Sequence, residues 1–232
     1  MIYARIILLC LLANALYAQD LKTFTVNPGQ KVYDAIGPAD RYAFPEFESG
    51  LVQFRNGNLG GGRMNYNAVL AEMEFINDKG DTLTLNDRET IRHIVIRNDT
   101  FFVDKLYLQK VERAGKLVLA RSRVIMISNH RRVGAMGQVS DASVDAYTTL
   151  SSSGNPLRNM VAQEILTYRE HLTFFLGDAF GKFRQVNRKN LSTMFGGHKQ
   201  EVENYLRERN PNFFLDTDMR ALLGFLAGLD KP

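Results

Sequence analysis

The chain is nearly devoid of cysteine, and its single thiol, Cys10, lies within the first eighteen residues. Those residues carry Arg5, the apolar run 6–12 and an Ala15-Leu16-Tyr17-Ala18 ending, which is the layout of an export signal cleaved after Ala18. Cleavage there would leave no thiol, which excludes disulfides, thiolate catalysis and cysteine-based zinc sites together. Leu8 and Leu9 stand where a lipoprotein signal needs a small residue before its cysteine, so no lipid anchor is expected. Long apolar runs are also lacking. The 6–12 run is too short to span a bilayer, and nothing later in the chain approaches the length of a transmembrane helix.

Charge of one sign is scarce too. The formal net charge is +4, or about +3 once Arg5 is removed, and the charges are mixed along the chain, which is no footprint for nucleic acid. Catalytic signatures are missing as well. There is no HExxH and no Gly-x-Ser-x-Gly elbow, and the glycine-rich stretch 57–62 lacks a Gly-Lys-Ser/Thr ending and leads into a strand instead of a helix. No cofactor and no metal site are therefore expected, and an exported protein of this kind is not expected to meet nucleic acid.

What is present is an alternating, turn-punctuated pattern. Val52 and Phe54 alternate with polar neighbours, a glycine-rich turn follows at 56–62, and Met64 and Tyr66 alternate with Arg63, Asn65 and Asn67. Met73 and Phe75 resume the apolar face on odd numbers where Met64 and Tyr66 held even ones, so a turn, bend or bulge must fall within 67–71. Further hairpins are expected at Asn77-Asp78-Lys79-Gly80, at Asn98-Asp99 and at Ala114-Gly115, and a first strand is expected at 22–26, ahead of them all. Consecutive strands on short turns make a meander or roll.

The stretch 134–157 is rich in Ser, Gly, Ala and Asp and poor in large apolar residues, so it reads as a flexible linker or surface loop. Beyond it, 161–168, 172–176 and 183–186 are strand-like. Asn187 or Asn190 then caps a short helix with Leu191, Met194 and Phe195, a second helix carries Val202, Tyr205 and Leu206, and a third, capped by Asp216 or Thr217, carries Met219, Leu222, Leu223 and Leu226 at amphipathic spacing. The expected organisation is a signal at 1–18, an antiparallel β-rich domain at 19–133, the linker, and a β-hairpin plus helical tail at 158–232. The fold class is α+β, an antiparallel β meander or roll followed by a short hairpin and small amphipathic C-terminal helices.

The segments GLVQFRNG, MNYN, EMEFI and KGDTLTL, followed by IRHIVIRNDTFFVD and a tail of short hairpin and lysine-rich helices, resemble a group of exported proteins of Bacteroidetes-type bacteria. The resemblance spans most of the mature chain. It implies location and shape, and it brings no activity and no catalytic residues with it.

Four sets of residues are candidates for chemistry. Glu72 and Glu74 share one strand face, as an acid and base pair would, although alternation with Met73 and Phe75 reads more simply as a solvated face. His93, His130, His171 and His198 lie in unrelated local contexts. Two basic clusters stand out, Arg121, Arg123, Arg131 and Arg132 with His130, and Lys182, Arg184, Arg188 and Lys189. Brought together, they would hold an anionic polysaccharide, lipid headgroups or an acidic protein. Phe174, Phe175 and Phe183 read as core. The expected function is a non-enzymatic protein of the envelope, periplasmic or surface-exposed, that serves binding or assembly, with an envelope protein or anionic polymer as partner. A hydrolase acting on an envelope or extracellular polymer, and a small-molecule carrier with a large apolar cavity, are the alternatives.

Overall fold

A computed structural model describes residues 21–133, 139–142, 156–178 and 182–229 of the chain, with side chains described for 21–131, 157–178 and 182–229. The expected export signal lies outside the described residues, as does most of the 134–157 stretch.

The N-terminal elements are β1 (Thr23–Val26), α1 (Val32–Ala35) and α2 (Pro38–Arg41), the last started by Pro38, whose fixed φ suits a first helical position. A first run of hairpins follows: β2 (Glu48–Phe54), β3 (Leu59–Asn67), β4 (Glu72–Ile76) and β5 (Thr82–Thr84). A second run comprises β6 (Ile91–Ile96), β7 (Asp99–Val103), β8 (Tyr107–Ala114) and the long β9 (Leu117–Val133). After β10 (Val139–Ala142), β11 (Ile165–Gly177) and β12 (Phe183–Gln185) complete the strands, and α3 (Arg188–Met194), α4 (Lys199–Arg209) and α5 (Asp216–Leu229) end the chain. All twelve strands join one antiparallel sheet in the order β1-β11-β9-β8-β7-β6-β2-β3-β4-β5, with β10 added to β9 and β12 to β11. The expected α+β class, with an antiparallel meander and small C-terminal helices, is what the fold displays.

Several turns differ from the sequence reading in instructive ways. The glycines at 60–62 do not turn; they lie within β3 opposite 50–52 of β2, and only Gly57, at φ +91°, takes the left-handed position of the hairpin. The parity slip is a tight turn at 68–71 that ends on Ala71 at φ +54°. The β6–β7 turn falls one residue early, on Arg97-Asn98, because Ile96 pairs with Asp99; Arg97 holds φ +53° there. Segments 161–168 and 172–176 fuse into the single strand β11, because β9 supplies a continuous ladder from Arg131 to Val118, interrupted by a bulge at Thr167/Tyr168. Within the 134–157 stretch, 139–142 forms β10 against the end of β9.

One face of β9 organises the interior. Ile125 belongs to a core built from Val52, Met64, Tyr66, Met73, Ile94, Phe101 and Tyr107, closed over by Val26, Val32 and Ile36. Leu117 and Leu119 belong to a second core, under the apolar stripe of α5 (Met219, Leu222, Leu223, Leu226) with Leu191 of α3 and Val202 and Leu206 of α4. Asn187 caps α3 by accepting from the Asn190 amide at 2.8 Å, as its position suggested. Each buried leucine side chain in these cores contributes roughly 1.5–3 kcal/mol. Arg121 and Arg123 sit between the two cores on the same face of β9, two residues apart as strand periodicity requires.

Candidate functional site: two polar regions on a rolled sheet

The carboxylates of β4 do not form a solvated face. Glu74 is fully buried and Glu72 nearly so. Their strand is covered because residues 33–47 fold back along the free side of β3: Ala43 N–H donates to the Tyr66 carbonyl at 2.9 Å, and Tyr42 bridges Asn67. Glu74 accepts from the Asn67 amide at 3.0 Å and forms an ion pair with Arg158, delivered by the 3-10 turn Pro156–Arg158. Asn67 also donates to the Tyr33 hydroxyl at 2.9 Å, and its carbonyl oxygen accepts from the Val69 and Leu70 amides, which pins the 68–71 turn. Burial, and then the hydrogen bond with Tyr33, pushes the Tyr42 hydroxyl well above its ordinary pKa. Arg41 stacks 3.7 Å over the Tyr33 ring. Glu72 pairs with Arg88 at 2.5 Å, and Arg88 spends its other donors on the carbonyls of Ala71 and Lys105, both at 3.1 Å, above the Tyr107 ring. Burial pushes the Tyr107 hydroxyl up to about 12. Both carboxylates are thus held by arginines, and among the described residues no histidine or second carboxylate bonds to either.

The basic residues singled out by sequence separate into two groups. Arg121 donates to Asp216 at 3.1 Å and to Gln109 at 3.2 Å, tying the first residue of α5 to the sheet. Arg123 pairs with Glu170 and donates to the Asp40 carbonyl at 2.6 Å. Arg188 donates to the Leu206 carbonyl at 3.3 Å between helices, and Lys189 is exposed on α3. Arg131 lies at the far end of β9, beside β10, and the Arg132 side chain is outside the described residues. Lys182 and Arg184 go elsewhere, to an open trough of about 900 Å³ on the opposite face of the sheet.

That trough exists because the sheet rolls. Gln53, His93 and Phe102 are cross-strand neighbours in one row, and Val118, Gly177 and Phe183 in another. Four inter-strand steps separate β7 from β12, about 19 Å in a flat sheet. The Phe102 and Phe183 rings nevertheless meet at 4.9 Å, tilted by 40°. The curl also hides Leu108, Ala120 and Ser122 on this face. Gly177 permits the contact, since a Cβ there would come within 2.7 Å of the Phe183 ring. Phe183 is therefore half-exposed floor and not core, whereas Phe174 is buried under the helices.

Cations gather on both sides of that floor. Arg55 and Arg92 come from the paired ends of β2 and β6; Arg113 and Lys116 flank the β8–β9 turn, and Lys182 and Arg184 stand either side of Phe183 where β12 leaves the β11–β12 turn. The two turns lie side by side because Val118 pairs with Gly177. Against six cations stand two acids, Asp104 and Asp178. Among the described residues, Arg92, Arg113, Lys116, Lys182 and Arg184 have no carboxylate partner, while Arg55 spends its donors on the Glu89 and Val103 carbonyls. Burial, and then the neighbouring Arg92, lowers the His93 pKa. Sequence reasoning named Lys182 and Arg184 but passed over Arg55, Arg92, Arg113 and Lys116. The available signal was that cations flank two hairpin turns; what it lacked was the β9–β11 pairing that sets the turns together.

His130 pairs with Glu164 at 2.9 Å and His198 with Glu201 at 3.4 Å, and no cluster of metal-ligating side chains occurs among the described residues. No described helix is long and apolar enough to cross a membrane. Comparison with protein-family models, with curated proteins and with solved structures found no match.

Proposed function

We propose that this chain is an exported binding protein of the bacterial envelope, periplasmic or surface-exposed, whose rolled sheet holds an anionic partner in the trough between Arg92 and Arg184. The observation that carries this reading is the convergence of five cations without carboxylate partners, among the described residues, in one concavity. Like charges held together repel, and concave walls of low dielectric concentrate their field on whatever enters. An anionic ligand relieves that repulsion. The arginines matched to carboxylates elsewhere on the sheet have nothing to gain from such a ligand. The first eighteen residues support the export part of the reading.

Titration of the exported full chain with polyphosphate tests the binding. Saturable uptake that weakens with salt, and its loss in the R92E/R184E double variant, is the expected result. Polyphosphate binding that the double variant retains would overturn the trough as the site. N-terminal sequencing of the exported protein should begin at Gln19; recovery of the uncleaved chain from the cytoplasm would overturn export.

A further inference from the structure

The floor of the trough narrows the ligand class beyond charge. Resting on the reading that the trough takes an anion, we propose that the ligand is an acidic polysaccharide, with the face of a sugar ring seated on the Phe102–Phe183 pair and its carboxylates on the flanking arginines. Three observations separate this from other polyanions.

The floor is aromatic by construction. Phe183 packs over Gly177, the residue whose missing Cβ makes room for the ring, and reaches across the roll to Phe102. Both rings remain half-exposed. The negative face of such a ring accepts the apolar C–H face of a pyranose, an interaction a bare polyphosphate chain has no way to make.

Apart from β12, which carries Phe183 and pairs only with β11, the floor strands are interior. Strands β2, β6, β7, β8 and β9 are each paired on both sides, so their backbone donors and acceptors are spent in the sheet. An acidic peptide laid in the trough finds only the three-residue edge of β12 to extend, far short of the ladder from which extended peptides usually gain affinity. A glycan needs only side-chain donors and a ring to stack on.

The cations line two walls of a concavity instead of a convex surface. A planar lipid surface cannot reach Arg92 and Arg184 at once, whereas a ribbon-like chain with acidic groups on both edges can. Four of the six cations are arginines, whose planar fork pairs with a carboxylate in two parallel bonds.

The test is isothermal titration of the full chain, at one salt concentration, with oligogalacturonate, polyphosphate and poly-glutamate of matched charge. Oligogalacturonate should bind tightest. The F102L variant should weaken it roughly three- to tenfold, the range of one aromatic contact, and leave polyphosphate unchanged. F183L should do the same, and both variants should keep the thermal midpoint of the parent. Equal affinity for all three polymers, or an equal loss for uronate and phosphate in both variants, would overturn the sugar assignment while leaving an anion-binding trough. Tightest binding of poly-glutamate would overturn it in favour of an acidic protein. Failure of all three to bind would remove the anion-binding reading itself.

Discussion

Two regions of the sheet treat arginine in opposite ways. Between the cores and beside the buried carboxylates of β4, Arg88, Arg121, Arg123 and Arg158 each meet a carboxylate, and Arg88, Arg121 and Arg123 also donate to a carbonyl or side-chain oxygen. On the trough face, Arg92, Arg113 and Arg184 meet no carboxylate among the described residues. The first arrangement answers a desolvation problem, because a buried carboxylate without a matched cation costs several kcal/mol. The second creates a charge surplus where water still reaches. Arginine engaged with a carboxylate stabilises, and arginine left unmatched in a concavity would, on the proposed reading, take an anion.

That contrast fails or sharpens on a graded series of measurements. The largest effect is expected at Glu74: Glu74→Ala strips a fully buried carboxylate from Asn67 and Arg158 and should lower stability by about 3 kcal/mol, the low end for a broken buried pair because Arg158 is partly solvated. Urea denaturation reads this directly, and a loss under 1 kcal/mol would mean the pair holds nothing. Next comes Arg88→Met, which leaves Glu72 alone and removes donors to two carbonyls; a loss of about 2 kcal/mol is expected in the same assay. Arg92→Glu and Arg184→Glu should do the reverse, leaving stability within about 0.5 kcal/mol while removing anion binding. A trough reversal as destabilising as Glu74→Ala would erase the distinction between the two regions.

The smallest effect concerns pH. Burial and Arg92 lower the His93 pKa, so its neutral form is favoured in the folded state. The unfolded chain then binds the proton more readily, and His93 withdraws stability as pH falls through about 6.5 toward its folded value. A bound polyanion opposes this by favouring the protonated ring. Ligand should raise the His93 titration midpoint seen by NMR, and affinity should rise as pH falls through the same window. A midpoint that ligand leaves in place would put His93, and the trough with it, out of reach of the bound charge.

Much of the fold was legible because alternation, turn residues and helix spacing are local. Met219, Leu222, Leu223 and Leu226 do pack as one stripe, and Asn187 does cap α3. What eluded local reading depends on contacts between distant residues. Glu72 and Glu74 look solvated only until residues 33–47 and Arg158 close over them. Arg121 and Arg123 resemble a basic patch until their spacing on β9 proves to match Asp216 and Glu170. The trough was half visible, in Lys182 and Arg184, and the other half required the roll that brings Phe102 to Phe183.

On the proposed reading, unmatched cations on the trough face bind an acidic polymer as a group. The most direct measurement is the dependence of oligogalacturonate affinity on salt, for the parent chain, for R92E/R184E and for a Lys189→Glu/Lys199→Glu control on the exposed helices. The account expects log affinity to fall linearly with log salt in the parent and the control, through release of counterions, and to collapse in the trough variant. Identical salt slopes for all three proteins would contradict it.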